Sequence, residues 1–286
     1  MKKILVLLGA IVISSTSAFA TDCSSFKCPA NPYSDDLSIS NVTGTNFLAE
    51  RIANTIIKKQ ILRDSQGKYK VNLESYNIAA LKKGIFKSLE ITGEDTVTDG
   101  IYASMIKLRT VCDYNYIEIN NKEKTTTFKE DFGMAYAVQF TESDLNKTMA
   151  NSLYTDLIRK VNSIGNTTKM FNISSTSAKI INNKLVYVMR VAVPLLNLKK
   201  DVAIQTDLKV RNGEIIIDEA ELMTEAMKVD VNKLLKLVNY LDPLDFSMEL
   251  MKNKDANMQV KEVSIKDNKI NVSGLITVDK DVVTEQ

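Results

Sequence analysis

Apolar and polar residues alternate along most of this chain, which is the pattern of β-strands with one buried face. The clearest case is residues 202–211, where apolar side chains at 202, 204, 208 and 210 alternate with polar side chains at 205, 207, 209 and 211. Asn212-Gly213 follows, a dipeptide typical of a two-residue type I′ turn. Residues 214–222 then provide the return strand. The sequence therefore predicts an antiparallel hairpin here.

The same pattern predicts further long antiparallel strands. A second hairpin joins residues 258–266 to 269–278 through Asp267-Asn268. A third hairpin joins residues 169–177 to 180–193 and turns at Asn182-Asn183 or just before it. Residues 69–78, 86–93 and 101–112 form a three-stranded meander, and residues 134–140 form a single strand.

Three segments have helical periodicity instead. In residues 46–62 one face carries Leu48, Ile52, Ile56 and Ile57. A second helix starts at Thr141, because Thr141 and Asp144 have the spacing of a capping box. Its apolar stripe predicts one continuous helix through Leu145, Met149, Leu153, Leu157 and Val161. The third covers residues 231–241 after Asp230. We interpret each apolar stripe as packing against a sheet.

These elements predict an α+β fold in which a long, twisted antiparallel β-sheet is curled around two or three amphipathic helices. Residues 41–286 contain no stretch rich in proline, glycine and serine that would act as a linker. They are also numerous enough to bury one sizeable core. We therefore expect a single domain over 41–286.

The N-terminal 20 residues have the layout of a cleaved signal peptide. Lys2 and Lys3 precede an apolar run over 4–13, and Ala18-Phe19-Ala20 has the small residues of a cleavage site. The apolar run is too short to span a bilayer, which takes about 20 residues. The sequence thus predicts an exported protein, either periplasmic or secreted, with a flexible Cys-containing leader over 21–40.

The three cysteines allow two disulfide arrangements in an exported chain. Cys23 and Cys28 are close enough in sequence to close a small local loop. Alternatively, Cys112 pairs with one of them and ties the leader to the body of the protein. The sequence alone leaves both arrangements open.

Composition removes several classes of function. The chain has 37 basic and 35 acidic residues, and two of the lysines lie in the predicted signal peptide, so a basic field for nucleic acid is absent from the mature chain. The chain contains no histidine, the side chain that most readily titrates near neutral pH. We expect no enzyme activity, no cofactor and no metal ion.

The remaining chemical patterns are weak. Ser104 and Lys107 have the spacing of a Ser-x-x-Lys motif, but in a strand their side chains point to opposite faces. Glu94, Asp95 and Asp99 cluster around a predicted turn, where solvated acids are commoner than calcium ligands.

Two segments carry a resemblance to a known family. The first runs from Gly84 to Asp95 and continues with Asp99-Gly100-Ile101, and the second runs from Gln139 to Lys147. In order and spacing they resemble the LmeA-like phospholipid-binding family of bacterial envelope proteins. At both Gly93 and Gly100 we expect a bend or a positive φ. The resemblance implies a phospholipid-binding envelope protein with a curved sheet packed on long helices, similar to tubular lipid-binding folds.

From this resemblance we expect a non-enzymatic protein that holds or transfers a phospholipid or related lipid, with transient contact to a membrane surface. Burial of an acyl chain contributes about 0.8 kcal/mol per methylene group and needs no special residue. The expected lining residues on the sheet and helices are Ile101, Leu108, Phe140, Leu145, Met149, Leu153, Leu157, Tyr187, Met189, Val191, Ile204, Leu208, Leu234 and Val238.

Two other classes of function stay open from the sequence. One is a secreted or periplasmic assembly module that binds a protein partner through its sheet edges or its leader. The other is an envelope enzyme whose site contains no histidine, although no pair of acids is singled out by the sequence. Copurification with lipid distinguishes the lipid carrier from the assembly module.

Overall fold

A computed structural model describes residues 26–34, 45–120, 122–123, 125–167, 172–193, 198–223, 238–251 and 255–285. Within these ranges the fold is α+β, with mostly antiparallel strands and a few helices. The helices are α1 (Thr45–Asp64), α2 (Ile78–Lys82), α3 (Glu142–Met149), α4 (Ser152–Thr167) and α5 (Pro243–Met251). The strands are β1 (Ser65–Glu74), β2 (Ile85–Phe86), β3 (Ser88–Thr98), β4 (Ile101–Thr110), β5 (Asn115–Asn120), β6 (Thr125–Phe128), β7 (Phe132–Thr141), β8 (Asn172–Ile181), β9 (Lys184–Val193), β10 (Leu198–Arg211), β11 (Glu214–Leu222), β12 (Asn257–Lys266), β13 (Lys269–Val278) and β14 (Val283–Glu285).

The strands form three sheets, whereas the sequence predicts one. The large sheet has the order β1-β3-β4-β7-β13-β12, the second sheet β11-β10-β9-β8, and the small sheet β14-β6-β5-β2. Helices α3 and α4 separate β7 from β8, so the four strands that follow pair only among themselves. Over the described residues none of the three sheets closes on itself.

The two-residue turns confirm the predicted hairpins. Asn182-Asn183, Asn212-Gly213 and Asp267-Asn268 each have positive φ at both positions, from 51° to 82°, as a type I′ turn requires. Asp99-Gly100 has the same conformation between β3 and β4. These turns fix the strand register locally, so hydrophobic alternation and turn chemistry were sufficient to predict it.

Gly93 does not have a positive φ, which is one of the two conformations expected for it. It lies inside β3, directly opposite Tyr69 of β1. A Cβ atom at Gly93 would lie 2.7 Å from the Tyr69 ring, so the glycine provides room for an aromatic ring on the neighbouring strand. The positive φ falls two residues later, at Asp95.

The stripe from Leu145 to Val161 is carried by two helices, which corrects the prediction of one. Thr141 and Asp144 make the predicted capping box at the start of α3. Asn151 then starts α4, because its side-chain oxygen accepts a hydrogen bond from the Leu153 amide at 3.1 Å. The break turns Leu153 toward solvent.

The structure also differs from the prediction of the third helix. Most of the predicted helix over 231–241 lies outside the described residues, although 238–240 are helical. The sequence analysis missed α5, which begins at Pro243 directly after Asp242. Aspartate at the N-cap followed by proline at the first helical position is a recognised start signal, so α5 could have been predicted.

The main core cluster lies between the large sheet, the second sheet and helices α3, α4 and α5. It includes Tyr136, Val138 and Phe140 of β7, and Ile270 and Val272 of β13. A second core cluster lies at the other end of these same two strands and includes Phe132, Met134 and Val278. Helix α1 packs on this second cluster through Ala53 and Ile57. The even-numbered face of β7 and β13 is therefore covered by two separate layers.

A disulfide joins Cys28 to Cys112, with Cα atoms 5.6 Å apart. The small local loop between Cys23 and Cys28 is therefore wrong, and the alternative that ties the leader to the body is confirmed. Cys23 lies outside the described residues. Sequence could not decide the pairing, because it depends on where the turn that carries Cys112 lies in the fold.

Residues 26–34 lie against the body, although they belong to the segment predicted as a flexible leader. The Tyr33 ring stacks on the Tyr76 ring with centroids 4.7 Å apart. The Asn31 side chain donates to the Tyr76 hydroxyl at 2.9 Å and to the Asp113 carboxylate at 3.0 Å. Together with the disulfide, these contacts anchor this part of the leader beside the turn that carries Cys112.

Candidate functional site

Most of the predicted lipid-lining residues meet in the main core cluster. Of the fourteen, Leu153 is exposed and Leu234 lies outside the described residues. Those that are buried in the cluster or packed against it are Ile101, Leu108, Phe140, Leu145, Met149, Leu157, Tyr187, Met189, Val191, Ile204, Leu208 and Val238. Phe140, Leu145, Met189 and Val238 have no exposed surface, because they fill the space between the sheets themselves.

The outer face of α1 is the most prominent exposed apolar surface that the structure describes. This face is defined by five apolar side chains that are 42–64% exposed, Phe47, Leu48, Ile52, Ile56 and Leu62. The predicted core packing of Leu48, Ile52 and Ile56 is wrong. Only Ile57 of the predicted stripe packs inward, on the second core cluster.

The outer face of α1 is also basic. At 3.6 residues per turn, the exposed residues Arg51, Lys58, Lys59 and Arg63 fall on the same half of the helix as the exposed apolar side chains. The two acidic residues of α1 fall on the other half. Glu50 accepts hydrogen bonds from the Ser75 amide at 2.8 Å and hydroxyl at 2.9 Å, and Asp64 contacts Arg63 at 3.4 Å.

The usual interfacial helix carries its basic residues opposite its apolar face, whereas α1 exposes both kinds of side chain on one half. Large apolar side chains insert at the boundary between headgroups and acyl chains, while lysine and arginine meet anionic headgroups. Among the described residues no helix is long and apolar enough to cross a bilayer. The sequence carried the signal for this face, because basic residues occur at the positions expected to share a face with Leu48 and Ile52.

Asparagine side chains occupy the exposed edges of the sheets, which the sequence analysis did not anticipate. Asn146 of α3 donates to the Ala178 carbonyl of β8 at 2.8 Å and accepts from the Ala178 amide at 2.9 Å. Asn162 of α4 makes the same pair of bonds to Ile173, at 2.8 and 2.7 Å. Each asparagine side chain thus makes the pair of hydrogen bonds that a backbone residue on a neighbouring strand would make. Strand β8 therefore offers no free edge at these two positions.

Three further edge strands, β1, β11 and β12, are each contacted at a single position. Asn54 of α1 accepts from the Leu73 amide of β1 at 2.9 Å, and Asn239 accepts from the Ile217 amide of β11 at 3.1 Å. On β12 the Val260 amide donates to the Gly213 carbonyl of the β10–β11 turn at 2.8 Å. At these positions the strand edge is not free to pair with another strand.

Replacing Asn162 with alanine is expected to destabilise the protein by about 2 kcal/mol, and so is replacing Asn146. Each substitution removes two hydrogen bonds to β8 and leaves a backbone amide and carbonyl of that strand without these partners, and replacing Asn146 also removes its bond to the Glu142 carbonyl. Urea unfolding followed by circular dichroism measures the change. Lys160→Ala, at an exposed position of α4, is the control. Asparagine variants as stable as this control would contradict the edge-closing role.

The patterns weighed as catalytic or metal-binding gain no support. The Ser104 hydroxyl donates to the Gln139 carbonyl at 2.9 Å, within the β4–β7 pair. Of the acids near the β3–β4 turn, Asp95 pairs with Lys68 at 3.7 Å on the surface. In the described ranges no three acidic or cysteine side chains are grouped so as to hold a metal ion.

One cluster of polar groups is buried inside the main core cluster. The hydroxyl groups of Tyr154 of α4 and Tyr187 of β9 lie 2.6 Å apart, and the Tyr154 hydroxyl donates to the Leu241 carbonyl at 2.5 Å. Burial raises the pKa of both tyrosines well above their ordinary value, so both stay neutral. Asp242, next to Leu241, is also buried.

Comparisons of the chain with family models, curated proteins and solved structures find no match. Its function is therefore inferred from its own residues.

Proposed function

We propose that this protein is an exported, non-enzymatic lipid-binding protein of the bacterial cell envelope, and that it contacts anionic phospholipid surfaces through the outer face of α1. One observation carries the proposal: five large apolar and four basic side chains are exposed together on one half of this helix. The LmeA-like resemblance and the predicted signal peptide agree with it.

The energies are sufficient for reversible binding. Full burial of one large apolar side chain contributes about 1.5–3 kcal/mol, and partial insertion contributes a fraction of that. Each lysine or arginine near an anionic surface adds about 1 kcal/mol. The predicted mature chain has equal numbers of basic and acidic residues, so this attraction arises locally at α1 and not from the net charge of the protein.

The proposal has a second part, which concerns where a lipid lies after it leaves the membrane. We infer that its acyl chains occupy the space between the large sheet and helices α3, α4 and α5, in a curled arrangement similar to tubular lipid-binding folds. Twelve of the predicted lining residues share the main core cluster. Because their own side chains fill this space, uptake requires one of the covering helices to move.

Vesicle flotation tests the membrane contact. The chain from residue 21 is expected to float with vesicles that contain phosphatidylglycerol and to bind vesicles of pure phosphatidylcholine much more weakly. Replacing Ile52 and Ile56 with serine should lower binding to the anionic vesicles about tenfold, because two inserting side chains are lost. Lys59→Glu should weaken it further and reduce its dependence on salt.

Two control variants test whether a loss of vesicle binding is specific to α1 or follows from a similar substitution elsewhere on the surface. Ile119→Ser removes an isoleucine that is 57% exposed on β5, close to the 62% of Ile52. Lys160→Glu reverses an exposed charge on α4. Both controls should bind like the wild type. Equal losses in the α1 variants and the controls, or no vesicle binding at all, would leave a protein-binding module as the better account.

A further inference from the structure

Asp242 is a buried carboxyl group at the start of α5. Its Oδ1 atom accepts a hydrogen bond from the Leu244 amide at 3.0 Å, and its backbone carbonyl accepts from the Phe246 amide at 3.0 Å. Its Oδ2 atom has no hydrogen bond of ordinary geometry among the described residues, although the Asp245 amide also favours the ionised carboxyl group. Buried polar atoms are nearly always paired, so an unpaired carboxylate oxygen requires an explanation.

Apart from the carboxyl group of Asp245, the surroundings of this carboxyl group are apolar or neutral. Leu241, Leu244 and Met248 around it are at most 3% exposed. The titratable groups that face it are the neutral hydroxyls of Tyr154 from α4 and Tyr187 from β9, and the carboxyl of Asp245 from α5 itself. A negative charge at Asp242 is therefore favoured only by the amides of the first turn of α5.

We propose that Asp242 acts as a proton-controlled latch, which holds α5 on the main core cluster while the carboxyl group is protonated and loosens α5 when the proton is lost. In the protonated state the cluster is neutral and α5 remains closed over Leu241 and Leu244. In the ionised state an unpaired charge is buried at the helix start, and the charge reaches water most easily if α5 lifts.

The direction of the pH effect follows from burial. Burial raises the pKa of Asp242 from 3.8 to about 7. The folded protein therefore keeps this proton at pH values where the unfolded chain has lost it. Stability falls as pH rises from about 4 to about 7 and is constant with respect to this group above that. A shift of about three units corresponds to a change of about a thousandfold in the unfolding equilibrium.

Asp242→Asn is the decisive variant, because asparagine keeps the accepting oxygen at the helix start but cannot ionise. In the wild type, urea unfolding should show stability declining from pH 5 to about pH 7 and levelling off toward pH 8. The variant should lack this decline and be more stable than the wild type at pH 8. Asp64→Asn, at an exposed carboxyl of α1, should leave the decline intact. Parallel pH profiles for Asp242→Asn and the wild type would overturn the proposal.

Hydrogen–deuterium exchange separates a latch on α5 from a uniform loss of stability. After correction for intrinsic exchange rates, residues 243–251 should lose protection between pH 6 and pH 8 in the wild type but not in Asp242→Asn. Strands β7 and β13 should remain protected in both. Equal loss of protection in α5 and in these strands would contradict the latch. Neither measurement involves lipid, so both are independent of the proposed function, and only the use of the latch to admit a lipid rests on it.

Discussion

Replacing Gly274 with valine is expected to destabilise the protein by at least about 4 kcal/mol, because the site has no room for a side chain. Gly274 lies in the middle of β13, opposite Tyr136 of β7. A Cβ atom at this position would lie 2.0 Å from the Gln259 carbonyl oxygen of β12 and 2.6 Å from the Tyr136 hydroxyl. The first contact is with backbone, so a change of side-chain rotamer cannot relieve it.

The reason for this crowding is the way Tyr136 crosses the sheet. Its ring passes over Gly274, and its hydroxyl donates to the Gln259 carbonyl at 3.3 Å. A β-bulge between Val260 and Glu262 interrupts the register of β12 just beyond this point. Side chains at 274 would push β12 from β13 at the position where β12 also contacts the β10–β11 turn.

Soluble yield and urea unfolding by circular dichroism measure the effect. Ser273→Val is the matched control, because it places the same side chain one residue earlier on the opposite face of β13. The control should unfold within about 1 kcal/mol of the wild type. If Gly274→Val were as stable as Ser273→Val, the Tyr136 ring could not lie over residue 274 with β12 packed against it.

Removing the Cys28–Cys112 disulfide is expected to cost about 4–5 kcal/mol of unfolding free energy. The two cysteines are 84 residues apart in sequence, and a chain-entropy estimate for a loop of this length gives a value in that range. The double variant Cys28→Ala/Cys112→Ala should therefore unfold at much lower urea than the wild type. Reductant should reproduce the effect, since Cys28 is exposed.

The structure also predicts which segment becomes accessible to protease first when the disulfide is removed. Without the disulfide, residues 26–34 remain attached only through non-covalent contacts such as the Tyr33–Tyr76 stack. Limited proteolysis should then cut near Cys28 well before the core strands. Cys23→Ala is the control and should keep the stability of the wild type. A large loss in Cys23→Ala, with none in Cys112→Ala, would instead favour the local loop between Cys23 and Cys28.

Local chemistry explains what could be predicted from the sequence about the candidate site. The capping box at Thr141 placed the start of α3, and its stripe identified Leu145 and Met149 as core residues. The alternation in β9 and β10 identified Tyr187, Met189 and Ile204 in the same way. Periodicity reports which side of an element is apolar, but it does not report whether that side meets the core or the solvent.

The amino-acid sequence by itself determined the hairpins of this protein, their turns and the start of α3. These features depend on residues a few positions apart, such as Asn212-Gly213 or Thr141 with Asp144. Only the tertiary structure decided that α1 turns Ile52 outward, that Cys28 pairs with Cys112, that Asn162 closes the edge of β8, and that Asp242 lies buried with no hydrogen bond of ordinary geometry to one of its oxygens among the described residues. Each of these depends on distant segments meeting in space, and no local pattern encodes such a meeting.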